Sequence, residues 1–241
     1  MRTLIIIPAL NESESIGAVI AEALEYAPEC DLLVIDDGST DDTAVIARAA
    51  GARVVSLPYN MGVGTALRTG FRFARRHDYD AVIQTDADGQ HDPRNIPILL
   101  EELAAGSDLV IGSRFAAQDG HYEVERARGA AMGLLRQALR VLTGHRLSDS
   151  TSGFRGFSRP LVHQFAQSYP REFLSDTVEA LLMASYGGFT VAEVAVKMRY
   201  RTGGVPSHRS LRLAYHYLRL LIVMLLTMSM RGRRSARQRV A

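Results

Sequence analysis

Two carboxylates one residue apart, Asp86 and Asp88, stand in Gln84-Thr-Asp-Ala-Asp-Gly-Gln-His-Asp-Pro93, directly after the apolar run Ala81-Val82-Ile83. The run reads as a buried strand, and residues two apart in extended chain point to the same side. Asp86 and Asp88 therefore converge where strand gives way to loop, with the amide oxygen of Gln90 close behind. Hard oxygen donors of this kind suit Mg²⁺ or Mn²⁺, ions that keep coordination positions for substrate phosphates. The predicted chemistry is a metal-assisted reaction on a phosphorylated or nucleotide-linked substrate. The competing reading is an Asp-rich turn before Pro93, where Asp and Gly are common in any protein.

The elements that must carry this loop follow from hydrophobic periodicity. Strands are expected at Thr3–Ile7, Asp31–Ile35, Arg53–Ser56, Ala81–Thr85 and Asp108–Ile111. Helices alternate with them at about Ser13–Tyr26 (Asn11 as N-cap), from Ser39-Thr-Asp-Asp42 to Gly51, at about Gly64–Arg76 and at about Ile96–Ala105. Alternation of this kind predicts an α/β fold with a mostly parallel central sheet flanked by helices. Ligands of such sheets bind beyond the C-terminal strand ends. The polar residues cluster there, in Pro8-Ala-Leu-Asn-Glu12, Asp36-Asp-Gly-Ser39, Pro58-Tyr-Asn-Met-Gly62, the Asp86–Asp88 loop and Gly112-Ser-Arg-Phe115. Five such loops on one rim describe an active-site edge. Further on, a helix is expected at Gly129–Thr143, then a polar loop and short strand at Ser148–Phe157. Helices near Arg159–Tyr169 and Leu174–Tyr186 follow, with a strand at Thr190–Val196.

At 241 residues the chain has room for one large domain with an appendage and a substantial core. One cysteine, Cys30, excludes an internal disulfide; it suits a reducing cytosol and reads as a small core residue. The opening strand is too short for a signal peptide and no cleavage pattern follows it. The net charge of +2 conceals an asymmetry: residues 197–241 hold 11 Lys and Arg and no acid, whereas residues 1–196 hold all 26 acids against 17 Arg. A basic end of this kind prefers an anionic surface. In the expected last helix, Leu211–Met230, Arg212, His216 and Arg219 fall on one face, and only Leu220–Met230 is uninterruptedly apolar. Eleven residues reach roughly 16 Å, short of the roughly 30 Å hydrocarbon core, so the helix is expected to lie in the interface. Packing on the domain, or docking onto a small membrane-protein partner, are its other readings. Nucleic acid is not an expected partner: no binding-fold signature is present, and aromatics are not interleaved with the basic run. The expected division is a catalytic domain over 1–208 and a membrane- or partner-associated segment over 209–241.

With the rim laid out, the chain resembles the family 2 glycosyltransferases of the GT-A fold. Within them it resembles the polyprenyl-phosphate branch that dolichol-phosphate mannose synthase typifies. The motifs that carry the likeness are Pro8-Ala-Leu-Asn-Glu12, Val34-Ile-Asp-Asp-Gly-Ser-Thr-Asp-Asp-Thr43, Asn60-Met-Gly-Val-Gly64, Asp86-Ala-Asp-Gly-Gln-His-Asp-Pro93, Gly112-Ser-Arg-Phe115 and Thr151-Ser-Gly-Phe154. The resemblance implies that Pro8, Leu10, Glu12 and Asp37 line the base and ribose pocket, with Asn60 and Gly64 also on the substrate side. It implies that Asp86, Asp88 and Gln90 hold Mg²⁺ or Mn²⁺ on the donor diphosphate and that Arg114 and Arg128 meet an acceptor phosphate. Glu179 matches an acidic family position, and Arg201 and Ser207 fall in a segment that closes on the donor. The implied reaction is inverting transfer of a hexose from a nucleotide sugar to polyprenyl phosphate, by a peripheral enzyme on the cytoplasmic face of the membrane. A lipid phosphate is already anionic at pH 7 and needs cationic positioning rather than a general base, a task suited to arginine.

Each residue has a plainer reading beside this one. Asp36 or Asp37 caps the following helix; Arg114 pairs with a nearby acid; His91 is a loop hydrogen-bonder; Gly62 and Gly64 serve a turn. Three rival functions stay open on the sequence: transfer to a hydroxyl of a glycan or small molecule, nucleotidyl transfer, and a non-catalytic membrane-recruiting scaffold. Nucleotidyl transfer would call for a Gly-rich basic loop after the first strand, and Pro8-Ala-Leu-Asn-Glu12 is not one.

Overall fold

A computed structural model of the chain describes residues 1–114, 137–170 and 176–199. Strands β1 (Thr3–Ala9), β2 (Asp31–Asp36), β3 (Arg53–Ser56), β4 (Ala81–Gln84) and β5 (Leu109–Ser113) alternate with α1 (Ile16–Tyr26), α2 (Thr43–Ala49), α3 (Val63–Arg76) and α4 (Ile96–Ala104). Strand β6 (Arg155–Ser158), helices α5 (Arg159–Ser168) and α6 (Asp176–Tyr186) and strand β7 (Val191–Ala195) follow. A 3-10 turn, Pro93–Asn95, leads into α4. The elements expected over the described residues are present with shifted ends: β1 runs on to Ala9 and β2 to Asp36, whereas α1 starts at Ile16 rather than Ser13 and α2 stops at Ala49.

The seven strands order as β3-β2-β1-β4-β6-β5-β7. All pairs are parallel except those of β6, which runs antiparallel to both β4 and β5. Helices cover both faces, which is why β1, β2, β4 and β5 are buried along nearly their whole length and carry apolar runs rather than alternation. On one face Ile5, Ile7, Val34 and Ile83 pack with Ile16, Val19 and Ile20 of α1 and Ile96, Leu99 and Leu103 of α4. The other face is covered by α3 and α5, whose contact is aromatic. Phe71 meets Phe157 edge-on at 5.0 Å between centroids and Phe165 at 5.6 Å. Cys30 is the buried small residue expected; burial, then Glu29 and Asp31, push its thiol up to about 11.

The sheet lies wholly in one of two compact units, residues 1–121 with 148–205. Of the other, residues 122–147 with 206–241, only 137–147 are described, and 137–143 are helical as expected. Among the described residues no helix is long and apolar enough to cross a membrane. The expected helix Leu211–Met230 and the boundary at 208/209 lie outside the described residues.

Candidate active site

Parallel strands put the ends of β1 to β5 on one edge of the sheet, as the rim of polar loops required. β6 adds a sixth loop. Because it is antiparallel, it begins where its neighbours end: Arg155 pairs with Gln84 of β4 and Ile111 of β5. The loop before it, residues 148–154, therefore arrives at the same rim.

The loops after β1 and β2 are tied together by main-chain hydrogen bonds. Asn11, at φ 55°, accepts the Thr40 N–H on its Oδ1 at 2.8 Å, and its own N–H donates to Ser39 Oγ at 3.0 Å. The Glu12 N–H donates to Thr43 Oγ1 at 2.8 Å and the Ser13 N–H to Asp41 Oδ2 at 3.2 Å. Asn11 is therefore not the N-cap of α1; Ser15 takes that position, because the Asn11 side chain is committed across to the second loop. Burial pushes the Asp41 carboxyl up, but its bonds from Thr43 and Ser13 outweigh this and bring it down to about 2.

Neither Asp36 nor Asp37 caps α2, whose cap position is Asp42. Asp36 Oδ1 accepts the Ser39 N–H at 2.9 Å and closes its own turn. Asp37, 4% exposed, accepts the N–H groups of Met61 and Gly62, one on each carboxylate oxygen, both at 2.8 Å. It thereby fixes the loop that carries Asn60 and enters α3. Asn60 Oδ1 also accepts the Gly62 N–H at 3.1 Å, and Gly64 is buried in the first turn of α3, so these two residues shape the turn. Gly38 has φ +74°, and a Cβ there would lie 2.4 Å from the Tyr59 carbonyl carbon; the second and third loops touch backbone to backbone. Pro8 and Glu12 are half-buried beside this knot and Leu10 is exposed.

The Asp86–Asp88 loop is organised by His91, which is buried and stacked on Phe154 with centroids 5.0 Å apart. The Asp86 N–H donates to His91 Nδ1 at 3.0 Å, which leaves Nε2 as the donor nitrogen, 3.6 Å from Asp86 Oδ2. His91 is thus the loop hydrogen-bonder the sequence suggested. Asp88 is buried and accepts the Gln90 N–H on Oδ1 at 3.0 Å, across Gly89 at φ 76°. The Asp86 side chain is 41% exposed. Gly153 lies so near it that an added Cβ would meet both carboxylate oxygens at 3.2 Å. Among the described residues no three His, Cys, Asp or Glu side chains are grouped to hold a metal ion. Two carboxylates and an amide oxygen, one carboxylate open to solvent, fit a divalent ion that takes its remaining oxygens from a diphosphate.

Arg114 directly follows β5 and grips Asp149 bidentately, Nε to Oδ2 at 2.6 Å and Nη2 to Oδ1 at 2.9 Å, with Nη2 also 3.3 Å from Thr151 Oγ1. Pairing with a nearby acid is thus part of what Arg114 does. The Asp149 side chain is fully buried. Burial raises its pKa, but Arg114, by hydrogen bond and charge, holds the carboxyl below the usual range. Glu193 of β7 accepts the N–H groups of Ser148, at 2.9 Å, and Asp149, at 2.7 Å. Arg155, wholly buried, donates to the carbonyls of Ser150, Ser152 and Thr177 at 2.8–2.9 Å. Sequence reasoning missed Asp149, Arg155 and Glu193. For two of them a signal was available, a lone charge in a short strand: Arg155 at the start of Arg155-Gly-Phe157 and Glu193 within Val191-Ala-Glu-Val-Ala195. Glu179 is half-buried on α6, while Arg128, Arg201 and Ser207 lie outside the described residues.

Comparison with known proteins agrees with this arrangement. The Glycosyl transferase family 2 profile matches residues 4–165. The polyprenol monophosphomannose synthase of Mycolicibacterium smegmatis is 29% identical over 85% of this chain and 80% of its own. The undecaprenyl-phosphate mannosyltransferase of Micrococcus luteus is 37% identical over 65% of this chain and 66% of its own. Among solved structures, glucosyl-3-phosphoglycerate synthase from Mycobacterium tuberculosis in complex with Mn²⁺, UDP-glucose and phosphoglyceric acid superposes with a TM-score of 0.71. It is 26% identical, and the match covers 94% of this chain and 79% of that one. Five strand ends on one rim, an Asp-x-Asp loop at its centre and these likenesses lead to one conclusion: the chain is a glycosyltransferase of the GT-A fold and belongs to glycosyl transferase family 2.

Proposed function

We propose that this glycosyltransferase transfers a hexose from a nucleotide sugar to polyprenyl phosphate, inverting the anomeric centre, at the cytoplasmic face of the membrane. The observation that carries the reading is the meeting of two loops. Gly153 sets the 148–154 loop, with its Arg114–Asp149–Thr151 group, against the carboxylate of Asp86. In this reading the metal-diphosphate site and the guanidinium that would meet a second phosphate adjoin on one rim. The lipid-phosphate acceptors named for the two bacterial relatives support the choice of acceptor, and the Mn²⁺ and UDP-glucose of the solved neighbour support the donor side.

In this reading Pro8, Leu10, Glu12 and the loop held by Asp37 line the base and ribose pocket. Asp86, Asp88 and Gln90 hold Mg²⁺ or Mn²⁺, which when bound offsets the charge of the departing diphosphate. A phosphate oxygen of the acceptor attacks the anomeric carbon opposite the diphosphate, forming one C–O bond as the other breaks. No proton has to be removed from the acceptor, so the site needs no general base. Arg114 orients the acceptor while Asp149 and Thr151 keep its guanidinium plane fixed. Residues 209–241 are assigned to the anionic membrane surface or to a small membrane-protein partner.

The test is a transfer assay with polyprenyl phosphate, Mn²⁺ or Mg²⁺ and a panel of GDP- and UDP-sugars, read by mass spectrometry of the lipid. One donor giving a metal-dependent glycosyl-phospholipid is expected. Donor turnover onto a hydroxyl acceptor with no lipid product would replace this reading by its rival. Deletion of 209–241 is expected to release the protein from acidic liposomes, and co-sedimentation of the truncated chain would move the anchor elsewhere.

A further inference from the structure

One cation near the rim is explained neither by the donor site nor by the acceptor site. Arg199 follows β7, and its N–H donates to the Gln90 carbonyl at 2.8 Å. The residue before it, Met198, forms an antiparallel bridge with His91. The carbonyl of Lys197 accepts from Asn95 Nδ2 at 3.3 Å. Three consecutive residues after β7 are therefore laid against the loop that runs on from Asp88.

The Arg199 side chain completes the attachment. Its guanidinium bridges two acids from different elements: Nη2 lies 2.9 Å from Asp92 Oδ1, and Nη1 bonds Glu22 of α1. Asp92 is itself nearly buried. It caps the Pro93–Asn95 turn through the Arg94 N–H at 3.1 Å and pairs with the Arg94 guanidinium at 2.9 Å. Asp92 is thus the fixed post at the end of the Asp86–Asp92 loop, and Arg199 ties that post to α1. The planar fork is needed because one cation must reach two carboxylates at once.

We propose that Arg199 is a positioning residue for the metal site: its clasp on Asp92 and Glu22, with the main-chain bond to Gln90, holds Asp88 and Gln90 in the geometry that receives the divalent ion. The inference rests on the assignment of Asp86, Asp88 and Gln90 as ligands and deepens it. A carboxylate pair on a short loop binds an ion well only where its outer partners hold the loop in place, and loss of such partners typically costs about 10–100-fold in metal affinity.

The test is Mn²⁺ titration by electron paramagnetic resonance with UDP or GDP present, on the full chain, beside the melting temperature of each variant without metal. Arg199→Ala is expected to raise the Mn²⁺ Kd about tenfold or more, Arg199→Lys to recover part of this, and Glu22→Gln to weaken binding about threefold. A merely structural ion pair would lower the melting temperature and leave Kd unchanged in the folded variants, which overturns the proposal. If Arg199→Ala does not fold, Glu22→Gln decides by the same criterion. Wild-type protein that binds no Mn²⁺, or binds it as Asp88→Ala does, overturns the ligand assignment and the clasp together. Wild-type binding that Asp88→Ala abolishes and Arg199→Ala leaves intact overturns the clasp alone.

Discussion

The two sides of the rim are held by different physics. On the side of β1, β2 and β3, carboxylates and hydroxyls accept main-chain N–H groups: Asp36 from Ser39, Asp37 from Met61 and Gly62, Asp41 from Ser13. On the side of β5, β6 and β7, arginines enter as well: Arg114 pairs with the buried Asp149 and the wholly buried Arg155 donates to three carbonyls, while Glu193 accepts two N–H groups much as Asp37 does. The first arrangement makes a firm cradle from short local loops. The second holds a cation at a chosen place and orientation, which a lipid phosphate would need. Removing a donor to Asp36 or Asp37 loses a hydrogen bond, whereas removing Asp149 strands the charge of Arg114.

The Asp86–Asp88 loop stands between the two sides, and the largest effect is expected there. Asp88→Ala is expected to cost several kcal/mol of transition-state stabilisation, about a thousandfold in turnover, with the fold retained. Turnover within a few-fold of wild type would remove the metal site from the comparison altogether. Next comes Asp149→Asn. The guanidinium of Arg114 would lose its charge partner, and about 2–4 kcal/mol of stability is expected to go, near the low end for a buried pair because the Arg114 side chain is 23% exposed. Denaturant unfolding measures it, and a loss below about 0.5 kcal/mol would place the pair among ordinary surface bridges.

How legible each side was in the sequence follows the same divide. The β1–β4 loops lie next to the strands that position them, so apolar runs and local motifs located Pro8, Glu12, Asp37, Asp86 and Asp88 at the strand ends. Asp149, Arg155 and Glu193 act through β6 and β7, whose pairing with β4 and β5 spans many tens of residues. No local pattern states that β6 runs antiparallel, and only that reversal brings residues 148–154 to the rim. Asn11 failed as a predicted cap for a related reason. Its side chain reaches Thr40 in the next loop, a contact that competes with capping and that propensity does not register.

On the β1–β3 side the sharpest structural test is Gly38→Ala. The methyl group would meet the Tyr59 backbone at a residue held at φ +74°, and strain plus overpacking are expected to cost about 2–4 kcal/mol. Affinity for the nucleotide, measured by calorimetry, should fall as well, because the second and third loops must separate. A variant with native stability and native affinity would mean that these loops are not a rigid cradle.

The smallest effect contrasts the two sides by sign. Burial first, then the neighbouring Asp36, raise the Asp37 carboxyl above its ordinary value against the opposing bonds from Met61 and Gly62. With the folded pKa above the unfolded value of about 3.9, the folded state binds more protons, so Asp37 makes stability fall as pH rises through that window. Burial raises Asp149 too, but Arg114 overcomes it and leaves the folded pKa below the unfolded one. Its contribution is present above about pH 4 and is lost as pH falls through the folded pKa. Each group changes the slope by at most about 1.4 kcal/mol per pH unit. Unfolding free energies measured from pH 3 to 6 should therefore diverge from wild type in opposite directions for Asp37→Asn and Asp149→Asn. The first removes a decline with rising pH, and the second removes a loss on acidification. Curves that shift the same way would show that charge burial is handled alike on both sides, and the contrast drawn from their hydrogen bonds would not hold.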